Sequence, residues 1–504
     1  MNLISIYYFL LLMFSFFLYY IVPKQFQKYI LLLTSLYFFV QVSLEHPLRF
    51  TFIIGYIVVV TYIGGVCLQR LKGKLRSVCV MVLILMLVIV LVTLKYLYNL
   101  SAVFIELFKL SANVSWLKLT APIGISYFTL SAIGYLMEVF WKNIEAEKNP
   151  FDIALFITYF PQIISGPVTR YPDMKKQFNM GHELQYNNIS TGIFRMIWGY
   201  FQKLIISERF AVVVSIVYGN MQEYSGICII LATLCYAIQL YTDFSGCMDI
   251  IMGTSMLFGI QLPENFEAPF FCCSIKEFWQ RWHITLGQWF KDYVMYPIQL
   301  TKPFVVLGKK AGKRFGRRVG RKLSFYASML VLWILIGIWH GGTGYYFIAS
   351  AGIPCILLIL SDLLNPYFKK IISKWKIRTD CFSYRLFQRF RTILLICLSW
   401  IFVCSGGTYK GIIIYKQIIT HFFLLSSPIL TFELFGFELM DIVLMALGVF
   451  MLFVIDSMKN SGRNIIEIFQ NQNILFRYIV IFSVCLLIMH YGKVGNSSFI
   501  YFKF

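Results

Sequence analysis

Residues 323–341 read LSFYASMLVLWILIGIWHG, an almost uninterrupted apolar run that ends in a histidine. The run is long enough to cross the hydrocarbon core of a bilayer as a helix, which takes about 20 residues. The histidine, His340, is costly to hold in a low-dielectric setting, and polar groups at membrane depth are functional candidates by default. The stretch therefore predicts a membrane helix with a site at its end.

Apolar runs of this kind recur along the whole chain. Of its 504 residues, 59% are hydrophobic and 13% are charged, against about 25% charged residues in ordinary globular chains. We predict an all-α, polytopic (multi-pass) protein of the cell membrane, with one domain over residues 1–504. About eleven to thirteen runs should cross, and the shorter ones should be re-entrant or tilted. The candidate spans are 3–22, 29–43, 50–68, 78–97, 122–141, 152–165, 195–217, 226–243, 246–262, 323–340, 344–361, 392–405, 411–431, 438–455 and 476–490.

The net charge of +22 is concentrated between apolar runs. Residues 301–322 hold nine Lys or Arg and no acid, and residues 369–391 hold eight more against Asp380 alone. The positive-inside rule places both segments in the cytoplasm, near anionic lipid, and makes nucleic acid an unexpected partner. At 1.5 Å rise per residue, His340 should then lie about 27 Å from the cytoplasmic end of its helix, toward the outer half of the membrane. The first run, 3–22, lacks a basic leader and a small-residue cleavage site, so we expect a retained helix.

A second histidine, His283, lies in a block (residues 262–300) too polar for an ordinary span and too aromatic for an ordinary loop. Within it, Trp282, Leu286, Trp289 and Tyr293 recur at helical spacing. This pattern predicts an amphipathic or re-entrant element in the headgroup zone.

The residues alone leave two interpretations of His340 open. It is either a structural histidine whose ring nitrogens have hydrogen-bond partners, or a neutral imidazole that acts as general base toward a hydroxyl. Trp339 before it and the glycines after it favour the second. Neither His340 nor His283 has ligand spacing or a carboxylate cluster beside it, so we predict no metal site. The chain also lacks a G-x-S-x-G elbow and a phosphate-binding glycine loop. Its twelve scattered cysteines fit buried thiols rather than a disulfide scaffold.

Six strings, in this order, carry a family resemblance over nearly the whole chain. They are Ala121 to Thr129 (APIGISYFT), Phe160 to Tyr171 (FPQIISGPVTRY), Gln239 to Gly246 (QLYTDFSG), Leu262 to Phe266 (LPENF), Phe278 to His283 (FWQRWH) and Gly337 to Gly341 (GIWHG). The chain resembles the membrane-bound O-acyltransferase family, in its bacterial alginate and polysaccharide O-acetylation branch, with the teichoic-acid D-alanyl transferases as relatives.

The resemblance implies a ring of helices around a central funnel, in which a cytoplasmic thioester meets an acceptor from outside. It implies that His340 is the essential histidine and that His283 is the second one. It further implies that the donor is acetyl-CoA or an acyl-carrier thioester, that no cofactor is bound, and that an extracytoplasmic esterase-like partner relays the acyl group. Departures such as Cys247-Met248 leave the acceptor and the acyl group open.

We assign roles to five further residues around the two histidines. Arg281 orients or polarises the donor together with His283, and Asp243 holds a histidine tautomer or supports the fold, the second being slightly favoured. The tunnel is walled by Trp279, Trp282 and Trp339.

Two functions follow as hypotheses. The first is acyl transfer, acetyl or D-alanyl, from a thioester to a hydroxyl of an extracellular or cell-wall polysaccharide, directly or through a partner. The second is non-enzymatic transport of a polymer or lipid-linked sugar. The lack of an internal repeat weighs against transport.

Overall fold

The computed structural model describes residues 2–98, 101, 121–341, 344–423, 433–495 and 499. Within these ranges the chain is helical, and its only strand-like pairing is an isolated antiparallel bridge between Phe266 and Trp282. The predicted all-α class is therefore confirmed. Parts of the predicted span 411–431, the glycine after Gly341 and most of the last residues lie outside the described ranges.

Eight helices in the described part of the chain are long and apolar enough to cross a membrane, and they confirm a polytopic membrane protein. Two shorter apolar helices, Ile6–Ile21 and Ile125–Trp141, accompany them. The eight are Pro47–Arg70, Gly73–Lys95, Gly226–Leu257, Arg317–Trp339, Gly344–Lys374, Phe382–Ser405, Leu439–Asn460 and Ile474–Tyr491.

Two predicted spans, 226–243 and 246–262, are one continuous helix, Gly226–Leu257. The polar residues that suggested a break are buried within it, and Asp243 has a cationic partner, so the helix continues past them. The predicted span 152–165 is also different: its helix, Pro150–Thr158, has nine residues. Pro161 shortly afterwards explains the end, because a proline removes a backbone donor and restricts the residue before it.

The remaining helices are shorter or interrupted. Two of them change to π-helical geometry in the middle. Tyr186–Phe201 continues through the π segment Gln202–Ser207 into Glu208–Gly219, and Ile284–Phe290 continues through the π segment Lys291–Met295 into Tyr296–Gln299. π segments inside α-helices are rare and frequent at functional sites. The other short helices are Gln27–Val42, Tyr171–Met180, Ile275–Arg281, Lys302–Phe315, Thr408–Thr420 and Ile465–Gln470.

The chain divides into two compact units, each built from more than one stretch of sequence. The first comprises residues 1–199, 247–263 and 498–504, and the second comprises residues 200–246 and 264–497. That the whole chain acts as one membrane domain stays a prediction.

In the first unit, buried hydroxyls join helices that are distant in sequence: Tyr8 to Thr254 at 2.9 Å and Tyr159 to Ser255 at 2.7 Å. Two of the family-like strings also meet there. Gly124 has φ +82°, and a Cβ at that position would lie 1.8 Å from the carbonyl oxygen of Ile163. A glycine is therefore required at position 124, because the backbone of Ile163 lies too close for any side chain.

In the second unit, both basic segments are mainly helical, and the first contains a complete helix, Lys302–Phe315. Lys302–Phe315 and Arg317–Trp339 form a helical hairpin, and a Cβ on Gly320 would lie 2.3 Å from the carbonyl oxygen of Gly308. The second basic segment covers the end of the helix Gly344–Lys374 and the start of the helix Phe382–Ser405. The helices continue past their apolar windows because Lys and Arg extend into the headgroup zone with their charges in water.

The basic helical segments allow a test of orientation. In a cysteine-depleted background, Lys310→Cys should react with a membrane-impermeant maleimide only after the cells are permeabilised, because the positive-inside rule predicts that its basic helix lies in the cytoplasm. Tyr409→Cys, which follows the outward end of the helix Phe382–Ser405 and is exposed, should react in intact cells. The reverse labelling pattern would overturn the predicted orientation.

Candidate active site

His283 lies at a break in the predicted amphipathic element. The helix Ile275–Arg281 ends before it and the helix Ile284–Phe290 begins after it, and His283 itself is left-handed with φ +48°. A non-glycine residue in that region is uncommon and often functional. The break carries the imidazole into the interior, where the residue is 5% exposed.

The backbone around the break is held by an extended segment that precedes it in sequence. The peptide N–H of Ile284 donates to the carbonyl oxygen of Asn265 at 3.0 Å, and that of Glu267 donates to the carbonyl oxygen of Arg281 at 3.1 Å. With the Phe266–Trp282 bridge, these bonds fix the position of His283. Asn265 and Phe266, from one family-like string, therefore form one local structure with the string Phe278 to His283.

His340 and Trp339 lie beside His283 within the second unit. The rings of His283 and Trp339 are 6.0 Å apart, and those of Trp339 and His340 are 4.8 Å apart and nearly perpendicular. Phe244 packs edge-on against His283 at 4.9 Å. The two histidines that the sequence singled out are thus brought together around one tryptophan.

The two histidines differ in their surroundings. His340 ends the helix Arg317–Trp339, donating its backbone N–H to Ile336 at 3.0 Å, and is half-buried. Gly341 follows with φ +127° and open space where a side chain would be. Burial lowers the pKa of His283 well below its ordinary value, and the nearby His340 lowers it further, so His283 is neutral at physiological pH.

Aromatic rings pack around this cluster. Trp282 is buried and stacks on Phe278 at 5.4 Å, with Trp400 at 5.5 Å. Trp279 is half-buried and packs against Trp333 at 5.1 Å. A wall role for Trp279, Trp282 and Trp339 stays a prediction, and their rings provide a rigid apolar surround.

Arg281 makes two polar contacts away from the histidines. Its guanidinium contacts Glu277 at 2.8 Å and donates to the side-chain oxygen of Asn460 at 2.8 Å. Its predicted role in orienting the donor has no support from these contacts, which instead tie the end of one helix to the helix Leu439–Asn460.

Asp243 lies in a buried ion-pair cluster that is not apparent from the sequence. The ammonium group of Lys203 contacts Asp243 and Glu208, each at 2.6 Å, and all three side chains are nearly inaccessible to solvent. This arrangement favours the structural interpretation of Asp243. The signal that was missed is a basic and an acidic residue inside the apolar run 195–217, since buried charges are normally paired.

Other polar residues at membrane depth also have structural partners. In the first unit, Asp249 pairs with Arg195 at 2.8 Å, and Gln162 donates to the carbonyl oxygen of Phe156 at 3.0 Å. Among the described residues, no group of three or more His, Cys, Asp or Glu side chains has the arrangement of a metal site.

A comparison with protein families now adds to this geometry. The sequence model of the membrane-bound O-acyltransferase family matches residues 146–307. Over this segment the chain is similar to that family. The match includes Asn265 and His283 and ends before His340, so the assignment of His340 rests on its own string and on its position beside His283.

The chain is also similar to several curated proteins. The probable alginate O-acetylase AlgI of Pseudomonas syringae pv. tomato is 30% identical over 57% of this chain and 50% of its own length. The peptidoglycan O-acetyltransferase of Helicobacter pylori is 31% identical over 49% of each chain. The teichoic acid D-alanyltransferase of Bacillus subtilis is 29% identical over 57% of this chain and 68% of its own length. The chain thus spans about half the length of the first two of these relatives.

Proposed function

We propose that the protein transfers an acyl group, acetyl in the first instance, from a cytoplasmic thioester to a hydroxyl of an extracellular or cell-wall polysaccharide. The observation that carries the proposal is the meeting of His283, Trp339 and His340 in one aromatic cluster, in a chain that is similar to the membrane-bound O-acyltransferase family. The acetylating relatives named above act, by their names, on alginate and peptidoglycan.

The chemistry needs a base, a positioned carbonyl and a leaving thiolate. His340 takes the proton from the acceptor hydroxyl as its oxygen attacks the thioester carbonyl carbon. The carbon–sulfur bond then breaks, the thiolate recovers the proton from the imidazolium, and the products are an ester and a free thiol. General-base help supplies about 10²–10⁴-fold in rate, and positioning supplies a further part.

His340 suits this role because it is half-buried at a helix end. Gly341 leaves space beside it for a substrate, and a glycine permits close approach to the backbone. The donor is acetyl-CoA or an acyl-carrier thioester, and an extracytoplasmic partner relays the acyl group or the transfer is direct.

D-alanyl transfer is the second candidate. It is favoured by the Bacillus subtilis teichoic acid D-alanyltransferase, of which the chain covers 68%. The two acyl groups have the same transfer chemistry, so the site alone is compatible with both.

Mass spectrometry of the envelope polymers, with and without the gene, distinguishes the candidates. We expect acetyl esters to disappear from one polysaccharide when the gene is deleted and to return with the wild-type gene. Loss of D-alanyl esters would select the second candidate instead.

A second assay separates transfer from transport. With purified protein, acetyl-CoA and the polymer identified by mass spectrometry, the proposal expects thiol release that depends on both substrates. No release in the presence of the polymer and of membranes supplying partner proteins would favour the transporter hypothesis.

A further inference from the structure

The side chain of Asn265 is fully buried beside His283, and none of the proposed catalytic steps uses it. Its Oδ1 lies 3.3 Å from Nδ1 of His283. The same oxygen lies 3.1 Å from the backbone nitrogen and 2.9 Å from the hydroxyl oxygen of Thr285. One amide oxygen therefore faces the histidine and the first turn of the next helix.

The contact with Thr285 shows, independently of the histidine, that the atom of Asn265 facing it is the amide oxygen and not the amide nitrogen. The two ends of an asparagine amide have nearly the same shape, and they are told apart by their partners. A backbone N–H can only donate, so the amide atom it meets must be the oxygen. That oxygen carries no hydrogen, and the ring nitrogen that faces it must therefore carry one for the contact to be attractive.

The geometry of this contact is set by the backbone and not by flexible side chains. Asn265 receives the peptide N–H of Ile284 on its carbonyl oxygen at 3.0 Å, and the bridge from Phe266 to Trp282 lies directly beside it. Phe244 covers the other side of the imidazole at 4.9 Å. The ring is thus enclosed by groups that keep Nδ1 toward Asn265.

We infer that Asn265 is a positioning residue that holds His283 as the Nδ1–H tautomer, so that His283 presents Nε2 to the site as a hydrogen-bond acceptor. A neutral imidazole in this tautomer cannot donate a hydrogen bond from Nε2. His283 therefore does not polarise the thioester carbonyl, the role that the sequence suggested for it. Instead, Nε2 of His283 accepts a hydrogen bond from a group that carries a proton. Only this role toward the substrates rests on the proposed acyl transfer.

Nitrogen NMR of the reconstituted protein tests the tautomer directly. The full-length chain is labelled with ¹⁵N-histidine in lipid bilayers, and the His283 signals are identified by their loss in His283→Gln. We expect Nδ1 to carry hydrogen and Nε2 to carry none. A hydrogen on Nε2 in the wild-type protein would overturn the inference.

Asn265→Asp provides the second measurement, because a carboxylate keeps an acceptor for Thr285 while placing a negative charge beside Nδ1. We expect the same tautomer and an upward shift of about 1–3 units in the pKa of His283. Asn464→Asp, at the exposed cap of the helix Ile465–Gln470, is the matched control and should leave the His283 signals unchanged. A folded Asn265→Asp variant with no shift would contradict a positioning role, and if that variant does not fold, the wild-type spectrum decides.

The spectrum does not depend on turnover. The Nδ1–H tautomer in a protein that releases no thiol and esterifies no polymer would refute the proposed function and leave the role of Asn265 standing. The Nε2–H tautomer in an active enzyme would do the opposite.

Discussion

His340→Ala is expected to abolish detectable acylation of the envelope polymer in cells and to slow thiol release by purified protein about 10²–10⁴-fold, the contribution of a general base. The loss follows from removing the group that takes the proton from the acceptor hydroxyl. Folding should be retained, because His340 is half-buried at the end of its helix and its backbone hydrogen bond to Ile336 does not need the side chain. Thiol release and the unfolding temperature are measured on the same preparation.

His490→Ala is the matched control, since His490 lies exposed near the end of the helix Ile474–Tyr491. It should leave both acylation and thiol release unchanged. Full acylation by a folded His340→Ala protein would remove His340 from the mechanism, and His283 would then be the remaining candidate base.

Apolar patterning predicted the class of the fold well and its helix boundaries less well. The run 323–340 corresponds closely to the helix Arg317–Trp339. The runs 226–243 and 246–262 are one helix because Asp243 is paired inside the protein, and a hydropathy pattern cannot distinguish a paired carboxylate from a helix end. Tertiary partners override local polarity at such positions.

The candidate site was likewise predicted only in part from the sequence. His283 and His340 were recognised as unusual residues, but their proximity depends on how separate helices pack, which no spacing rule provides. The spacing of Trp282, Leu286, Trp289 and Tyr293 predicted an amphipathic or re-entrant element, and the structure buries all four side chains. It did not predict the left-handed residue that divides that element into two helices.

The roles of Arg281 and Asn265 depend on contacts with residues outside their own sequence strings. Arg281 appeared to be a cation available to the donor, yet it contacts Asn460, 179 residues away. Asn265 lay within a recognised string without a role until its oxygen was found beside His283. Residue type and local sequence cannot supply such pairings.

Lys203→Met is expected to destabilise the protein by roughly 3–5 kcal/mol, the cost of breaking a buried ion pair by removing one partner. The substitution keeps the apolar stem but leaves the carboxylates of Asp243 and Glu208 without their shared ammonium group. The unfolding midpoint in one fixed detergent measures the effect. Lys493→Met is the matched control: Lys493 is 39% exposed and contacts Asp441 at 3.0 Å, so its loss should cost under about 1 kcal/mol.

Neutralising the carboxylates should restore much of the stability lost in Lys203→Met, because that loss comes from uncompensated buried charge rather than from lost packing. The triple variant Lys203→Met, Asp243→Asn, Glu208→Gln is therefore expected to be more stable than Lys203→Met alone. It should also keep thiol release per folded molecule, since the carboxylate of Asp243 pairs with Lys203. A stable triple variant without thiol release would indicate that Asp243 takes part in the reaction. A Lys203→Met protein as stable as the wild type would show that the buried ion pairs do not stabilise the fold.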